Sequence, residues 1–112
     1  MNVQIFGVKK CFDTKKAERY FKERKIRYQF IDLTQFSLSK GELQSVKSAL
    51  GLNNLINCDA KEYKSLNMDR IISPQGREDL LLKNPSLYKT PIVRNGKFAT
   101  VGYKPEIWTT WE

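Results

Sequence analysis

A chain of 112 residues with 40% apolar side chains can bury one continuous core, so one domain over residues 1–112 is expected. Two cysteines are too few for a disulfide scaffold, and the absence of histidine excludes the usual four-ligand zinc set and histidine-dependent catalysis, so no metal site is expected. The balance of 20 basic against 12 acidic residues, +8 net, suits an acidic partner, an anionic substrate or nucleic acid. The lysines run from Lys9 to Lys104 without massing among aromatics, so a solvated basic surface is the plainer reading and direct nucleic-acid binding is not expected.

Residues 2–7, with Val3, Ile5 and Phe6 apolar, read as a first strand, and Gly7 opens a loop carrying Lys9, Lys10 and Cys11. Lysines that follow a short apolar run are the reverse of a secretory signal, and no apolar stretch approaches membrane-spanning length. A cytoplasmic monomer without a membrane partner is expected. Asp13 is placed to cap a helix whose core stripe is Ala17, Tyr20 and Phe21, ending near Lys25. Ile26 to Leu33 reads as a second strand, and a strand–helix–strand unit of this length is parallel and right-handed.

Ser39 with Glu42 is a capping box ahead of the stripe Leu43, Val46, Ala49 and Leu50, and Gly51 is a natural stop. Asp59 with Glu62 repeats the pattern before Tyr63 and Leu66, and Ser73-Pro74 starts a helix that Asn84-Pro85 breaks. Pro91–Arg94 and Phe98–Val101 flank Asn95-Gly96, a hairpin signal in which both turn positions take positive φ. Lys104-Pro105 begins a last helix with Ile107, Trp108 and Trp111 on one face. A βαβ half and a ββα half around a mixed four-stranded sheet is the thioredoxin arrangement, an α/β fold, here with a helical insertion over about residues 37–88.

Cys11 precedes the first helix, where unpaired N–H groups and the positive helix end favour thiolate, the form that attacks disulfides. Lys9, Lys10, Lys15 and Lys16 push the same way, while the Asp13 carboxylate opposes if it faces the sulfur. The alternative is an inert, buried cysteine. Thr14 stands where a Cys-x-x-Cys pair would have its second thiol, so redox turnover needs a thiol from elsewhere. Thr90-Pro91 lies where this fold commonly has a cis-proline facing the thiol, able to pair with a substrate backbone; a plain trans bond at a strand edge is the other reading.

Three blocks in order, Phe6-Gly-Val-Lys-Lys-Cys11-Phe-Asp-Thr14-Lys-Lys-Ala17, Leu55-Ile-Asn-Cys58-Asp59-Ala-Lys-Glu-Tyr63-Lys-Ser-Leu66, and Thr90-Pro91-Ile92-Val93 with Val101-Gly102-Tyr103-Lys104, resemble the ArsC/Spx family over nearly the whole chain. That family comprises glutaredoxin-linked arsenate reductases, Spx-type transcriptional regulators and uncharacterised relatives. The resemblance implies that Cys11 is the nucleophile. The arginines that would hold arsenate do not carry over: Asn57, Cys58 and Asp59 stand at one such place, Thr90 at another, and Lys104 is nearest to a third. Efficient arsenate reduction is therefore not expected.

The leading expectation is a monothiol oxidoreductase. Thr14, Thr90, Pro91 and Lys104 are candidates for positioning the substrate, and no cofactor is bound. A low-molecular-weight thiol such as glutathione or bacillithiol, or a redox protein, acts as co-substrate. The resemblance also places Cys58 near the active thiol as a candidate resolving cysteine, although a buried structural cysteine is the favoured reading. The competing expectation is an Spx-like regulator contacting the RNA polymerase α subunit through Gly51, which reads more readily as a helix cap.

Overall fold

A computed structural model describes every residue from Met1 to Glu112. Its strands are β1 (Val3–Gly7), β2 (Tyr28–Asp32), β3 (Ile92–Asn95) and β4 (Phe98–Val101), and its helices are α1 (Phe12–Glu23), α2 (Lys40–Leu50), α3 (Lys61–Ser65), α4 (Pro74–Lys83) and α5 (Pro105–Trp108). The sheet order is β2-β1-β3-β4. β1 runs parallel to β2, with Val3 opposite Tyr28 and Gly7 opposite Asp32. It runs antiparallel to β3, with Val3 opposite Asn95 and Phe6 opposite Ile92. The expected mixed sheet of a βαβ and a ββα half is what the chain builds.

Alternation along the strands sorts the core onto two faces. Val3, Ile5 and Val93 pack with Ala17, Tyr20 and Phe21 of α1 and with Trp108 of α5. Phe6 and Ile92 turn to the other face, beneath Leu43 and Val46 of α2, Leu81 of α4, and Leu55, Ile56 and Leu87 of the connecting segments. Trp108 is fully buried with its ring about 5 Å from those of Tyr20 and Phe21, and its indole N–H donates to Thr100 Oγ1 at 2.8 Å. Ile107, expected on the same face, is 41% exposed, because α5 lasts one turn and continues as a 3₁₀ turn that changes the spacing.

Local signals mostly act as read. Ser39 Oγ accepts from the Glu42 N–H while the Glu42 carboxylate accepts from the Ser39 N–H, closing the capping box. Ser73 caps α4, and Gly51 ends α2 at φ +85°. Three expectations shift. Asp13 does not cap α1; Cys11 occupies that position. Asp59 does not cap α3, whose N-cap is Ala60, because the Asp59 N–H is turned back onto Asn57 Oδ1. The hairpin loop is Gly96-Lys97 and not Asn95-Gly96: Asn95 stays in β3 opposite Phe98, and only Gly96, at φ +59°, is left-handed. That is the pattern of a turn with its glycine at the first central position, whereas the expected turn needs two left-handed residues.

α1 ends in a Schellman motif, with Ile26 N–H to Phe21 C=O and Lys25 N–H to Lys22 C=O. Its left-handed residue is Lys25, at φ +58°, where glycine is usual. Between α2 and α4 the buried Glu78 carboxylate accepts from Lys47 Nζ at 2.8 Å and from Gln44 Nε2 at 2.9 Å. These bonds to Lys47 and Gln44 hold its carboxyl below the usual carboxylate range.

Two stability predictions follow from these contacts. Lys25→Gly relieves the left-handed strain and stabilises the protein by about 0.5–1 kcal/mol in urea melts. Glu78→Gln destabilises it by about 1–3 kcal/mol at pH 7. Because the folded carboxyl is depressed, the wild-type advantage is complete above the unfolded carboxylate value of about 4.3 and disappears as pH falls through the folded value. Urea melts of both proteins from pH 7 to pH 3 measure this convergence.

Candidate active site

The site begins at Gly7, where β1 stops and the first turn of α1 folds back over it. A Cβ on Gly7 would stand 2.6 Å from Thr14 Oγ1 and 2.7 Å from Thr14 Cγ2, so the fully buried Thr14 can settle there only over a glycine. The Cys11 N–H donates to the Val8 carbonyl at 3.1 Å, and the Cys11 carbonyl accepts the first helical bond from the Lys15 N–H at 3.1 Å. The thiol therefore takes the N-cap place that Ser, Thr, Asp or Asn usually fills. It is half-buried, where the alternative reading had it fully buried.

Thr90 reaches the sulfur from the start of β3. Its hydroxyl donates to Cys11 Sγ at 3.3 Å, and its carbonyl lies 3.9 Å from the same atom as acceptor of the thiol proton. The Thr90–Pro91 bond is cis, and Pro91 is buried, its carbonyl accepting from the Gly102 N–H at 2.8 Å.

Burial raises the pKa of the Cys11 thiol. The hydroxyls of Thr90 and Thr14 and the N–H groups of Thr14 and Asp13 outweigh it and hold the thiol below its ordinary value. Thr14 Oγ1 makes no hydrogen bond and no cap bond closes onto Sγ, so these first-turn donors face the sulfur from beyond hydrogen-bond distance. A thiolate supplies the missing acceptor. Lysine charge, expected to contribute, ranks behind these bonds, and Asp13 acts through its N–H.

Thr14 and Thr90 thus come together at Cys11, with Pro91 joined to Thr90 through the cis bond. The other candidates make no hydrogen bond to the sulfur, whose side-chain hydrogen bonds are to Thr90. Lys104, the N-cap of α5, lines a groove of about 280 Å³ with Leu50, Asn54, Lys89 and Ile107. Gly51 is exposed, and a Cβ there would meet nothing nearer than Asn54 Nδ2 at 3.7 Å, so its left-handed backbone alone explains the glycine.

Cys58 is exposed, not the buried structural residue that was favoured. Its segment is tied by the Asn57 N–H to the Leu87 carbonyl, by the Lys89 N–H to the Leu55 carbonyl and by the antiparallel bridge of Ile56 with Tyr88. This register sets Asn57 beside Leu87, and the chain turns at Cys58. Both cysteines are free thiols.

Sequence reasoning passed over Phe12, which is 78% exposed beside the thiol. Its position off the Ala17, Tyr20, Phe21 stripe was the available signal.

A βαβ and ββα sheet that presents one thiol at the cap of its first helix, facing the peptide before β3, defines a thioredoxin-fold thiol protein. The chain belongs to the ArsC family, whose sequence profile matches residues 6–111. It is 32% identical over 106 residues to the global transcriptional regulator Spx 2 of Oceanobacillus iheyensis, covering 92% of this chain and 78% of that protein. It is 27% identical over 111 residues to the uncharacterized protein YusI of Bacillus subtilis, covering 95% of this chain and 94% of YusI. Among solved structures it resembles an arsenate reductase from Vibrio cholerae at 25% identity and TM-score 0.86, covering 98% of this chain and 97% of that one.

The hydroxyl contribution is directly measurable. Thr90→Val and Thr14→Val each move the midpoint of Cys11 alkylation against pH upward and slow alkylation at pH 7 about three- to tenfold, with Thr90→Val the larger effect.

Proposed function

We propose that this chain is a monothiol oxidoreductase acting through Cys11. The observation that carries the reading is the half-buried sulfur at the α1 cap, with the Thr90 hydroxyl 3.3 Å away and the buried Thr14 hydroxyl without a hydrogen-bond partner. The Cys11 thiolate attacks one sulfur of a mixed disulfide between a substrate thiol and a low-molecular-weight thiol. The S–S bond breaks, the substrate leaves as its thiolate, and Cys11 keeps the small thiol in a new disulfide. A second small thiolate attacks that disulfide, restores the Cys11 thiolate and leaves as the small-molecule disulfide. Glutathione or bacillithiol fits this role, and Thr90 and Pro91 position the incoming substrate.

Arsenate is a poorer substrate for these residues. An oxyanion needs fixed cationic forks, and the groups that hold the thiol pKa down are neutral hydroxyls and amides. Among the other guanidiniums, Arg94 donates to Gln4 and Ser45, and Arg77 donates to the Ile71 carbonyl and Asn53.

A regulator that binds the RNA polymerase α subunit is the second reading, favoured by the likeness to Spx 2 and by the exposure of Gly51. It lacks a local redox switch, since Thr14 stands three residues after Cys11.

The test is reduction of a glutathionylated peptide by glutathione in the presence of this protein. Wild type accelerates release of the peptide thiol, Cys11→Ser abolishes the acceleration, and Cys58→Ser retains it. Acceleration that survives Cys11→Ser overturns the mechanism. Absence of acceleration in wild type, with α-subunit binding unchanged in Cys11→Ser, favours the regulator.

A further inference from the structure

Half of the chain's net charge of +8 lies in the stretch that surrounds the thiol: residues 9–24 carry seven cationic side chains against three carboxylates. Along α1, Phe12, Lys15, Lys16, Arg19 and Lys22 follow the i, i+3, i+4, i+7, i+10 spacing of one helix face, and all five are exposed. None of these cations is in an ion pair, since the chain's two pairs are Arg24 with Glu112 and Lys47 with Glu78. Of the three carboxylates on the same helix, Asp13, Glu18 and Glu23, Glu18 is drawn toward β2, where it accepts from the Tyr28 hydroxyl at 3.0 Å. Like charges at these spacings cost an isolated helix a few tenths of a kcal/mol per pair, about 0.2–0.5, so the stripe works against the fold that carries it.

The head of the stripe is apolar and adjoins the sulfur. Phe12 packs in neither core cluster, and the Lys15 ammonium lies 5.7 Å from its ring centroid. From Phe12 to Lys22 the helix rises about 15 Å, more than a small thiol spans when its sulfur is at Cys11. A nucleic acid would answer the charge, but it carries no sulfur for the thiol at the end of the stripe.

We propose that the Cys11 site serves acidic protein substrates. An acidic segment lies along Lys15, Arg19 and Lys22, an apolar side chain next to the substrate cysteine rests on Phe12, and the substrate's mixed disulfide meets Cys11. The proposal rests on the thiol-exchange reading above and names its substrate class. The exchange is the same balanced step: the Cys11–small-thiol bond forms, the bond between the small thiol and the protein cysteine breaks, and the protein cysteine leaves as thiolate. Attraction between the stripe and the substrate raises the encounter rate and is screened by salt, the Debye length being about 10 Å at 0.1 M.

The test uses the full chain and three glutathionylated peptides of equal length, each with leucine beside the cysteine and flanked by glutamates, by serines or by lysines. At low salt, wild type releases the acidic peptide's thiol about tenfold faster than the lysine peptide's, and the gap closes at high salt. In Lys15→Glu/Arg19→Glu/Lys22→Glu the ratio of acidic to serine-peptide rates falls to one or below. A fourth peptide, acidic but with serine in place of that leucine, reacts more slowly with wild type, and in Phe12→Ser this difference is lost. Equal wild-type rates for the acidic and lysine peptides overturn the proposal, as does a preference that survives the triple substitution. Retention of a random DNA duplex in preference to the acidic peptide also overturns it, assigning the stripe to nucleic acid. Reaction with the serine peptide but without acidic preference leaves the thiol-exchange reading standing; no reaction with any peptide removes both.

Discussion

The contact between Gly7 and Thr14 sets where everything else at the site can stand. With no side chain on Gly7, the first turn of α1 lies directly on the end of β1, and Thr14 is buried against the backbone it covers. That close approach leaves Cys11 at the helix cap, where its sulfur meets the N–H groups of the first turn. The same strand holds β3 at its other edge through the pairing of Phe6 with Ile92, which brings Thr90 to the opposite side of the sulfur. One absent methyl group at the end of the central strand thus links the packing of the first helix to the chemistry of the thiol.

The two cores support this arrangement from both faces of the sheet. Trp108 at one end of the chain fills the space between the sheet and Tyr20 and Phe21, so the last helix helps to hold α1 in place. On the other face, α2 and α4 close over Phe6 and Ile92, and the buried Glu78 joins them through Gln44 and Lys47. A carboxylate in that position is tolerable because both neighbours donate to it; removing one would leave charge without its hydrogen bonds. The insertion also returns the chain through Leu55–Tyr88 to the peptide before β3, so its packing bears on where Thr90 sits.

Much of this was legible in the chain itself. The capping box at Ser39 and Glu42, the Ser73-Pro74 start and the positive-φ stop at Gly51 are local, because each depends on hydrogen bonds or sterics within a few residues. The parallel βαβ opening followed from strand and helix periodicity together with the handedness of such crossovers. Where two local signals competed, the nearest one misled. Asp13 and Asp59 both look like caps, but the backbone before each helix places a different residue at the cap. Asn95-Gly96 looks like a turn pair, but pairing of Asn95 across β3 and β4 keeps it extended and moves the loop one residue on.

The sequence by itself determined the element types, the thiol's place before the first helix, and the lack of a second thiol at Thr14. These depend on residue identity and near-neighbour spacing. Only the tertiary structure decided what surrounds the sulfur. The Thr90 hydroxyl lies 79 residues from Cys11 along the chain, and Thr14 matters because Gly7 lets it be buried. Tertiary structure also decided that Cys58 is exposed, and that Phe12 and the cations of α1 face solvent together. Contacts between residues distant in sequence depend on how the sheet brings its strands together, and no short-range pattern encodes that distance.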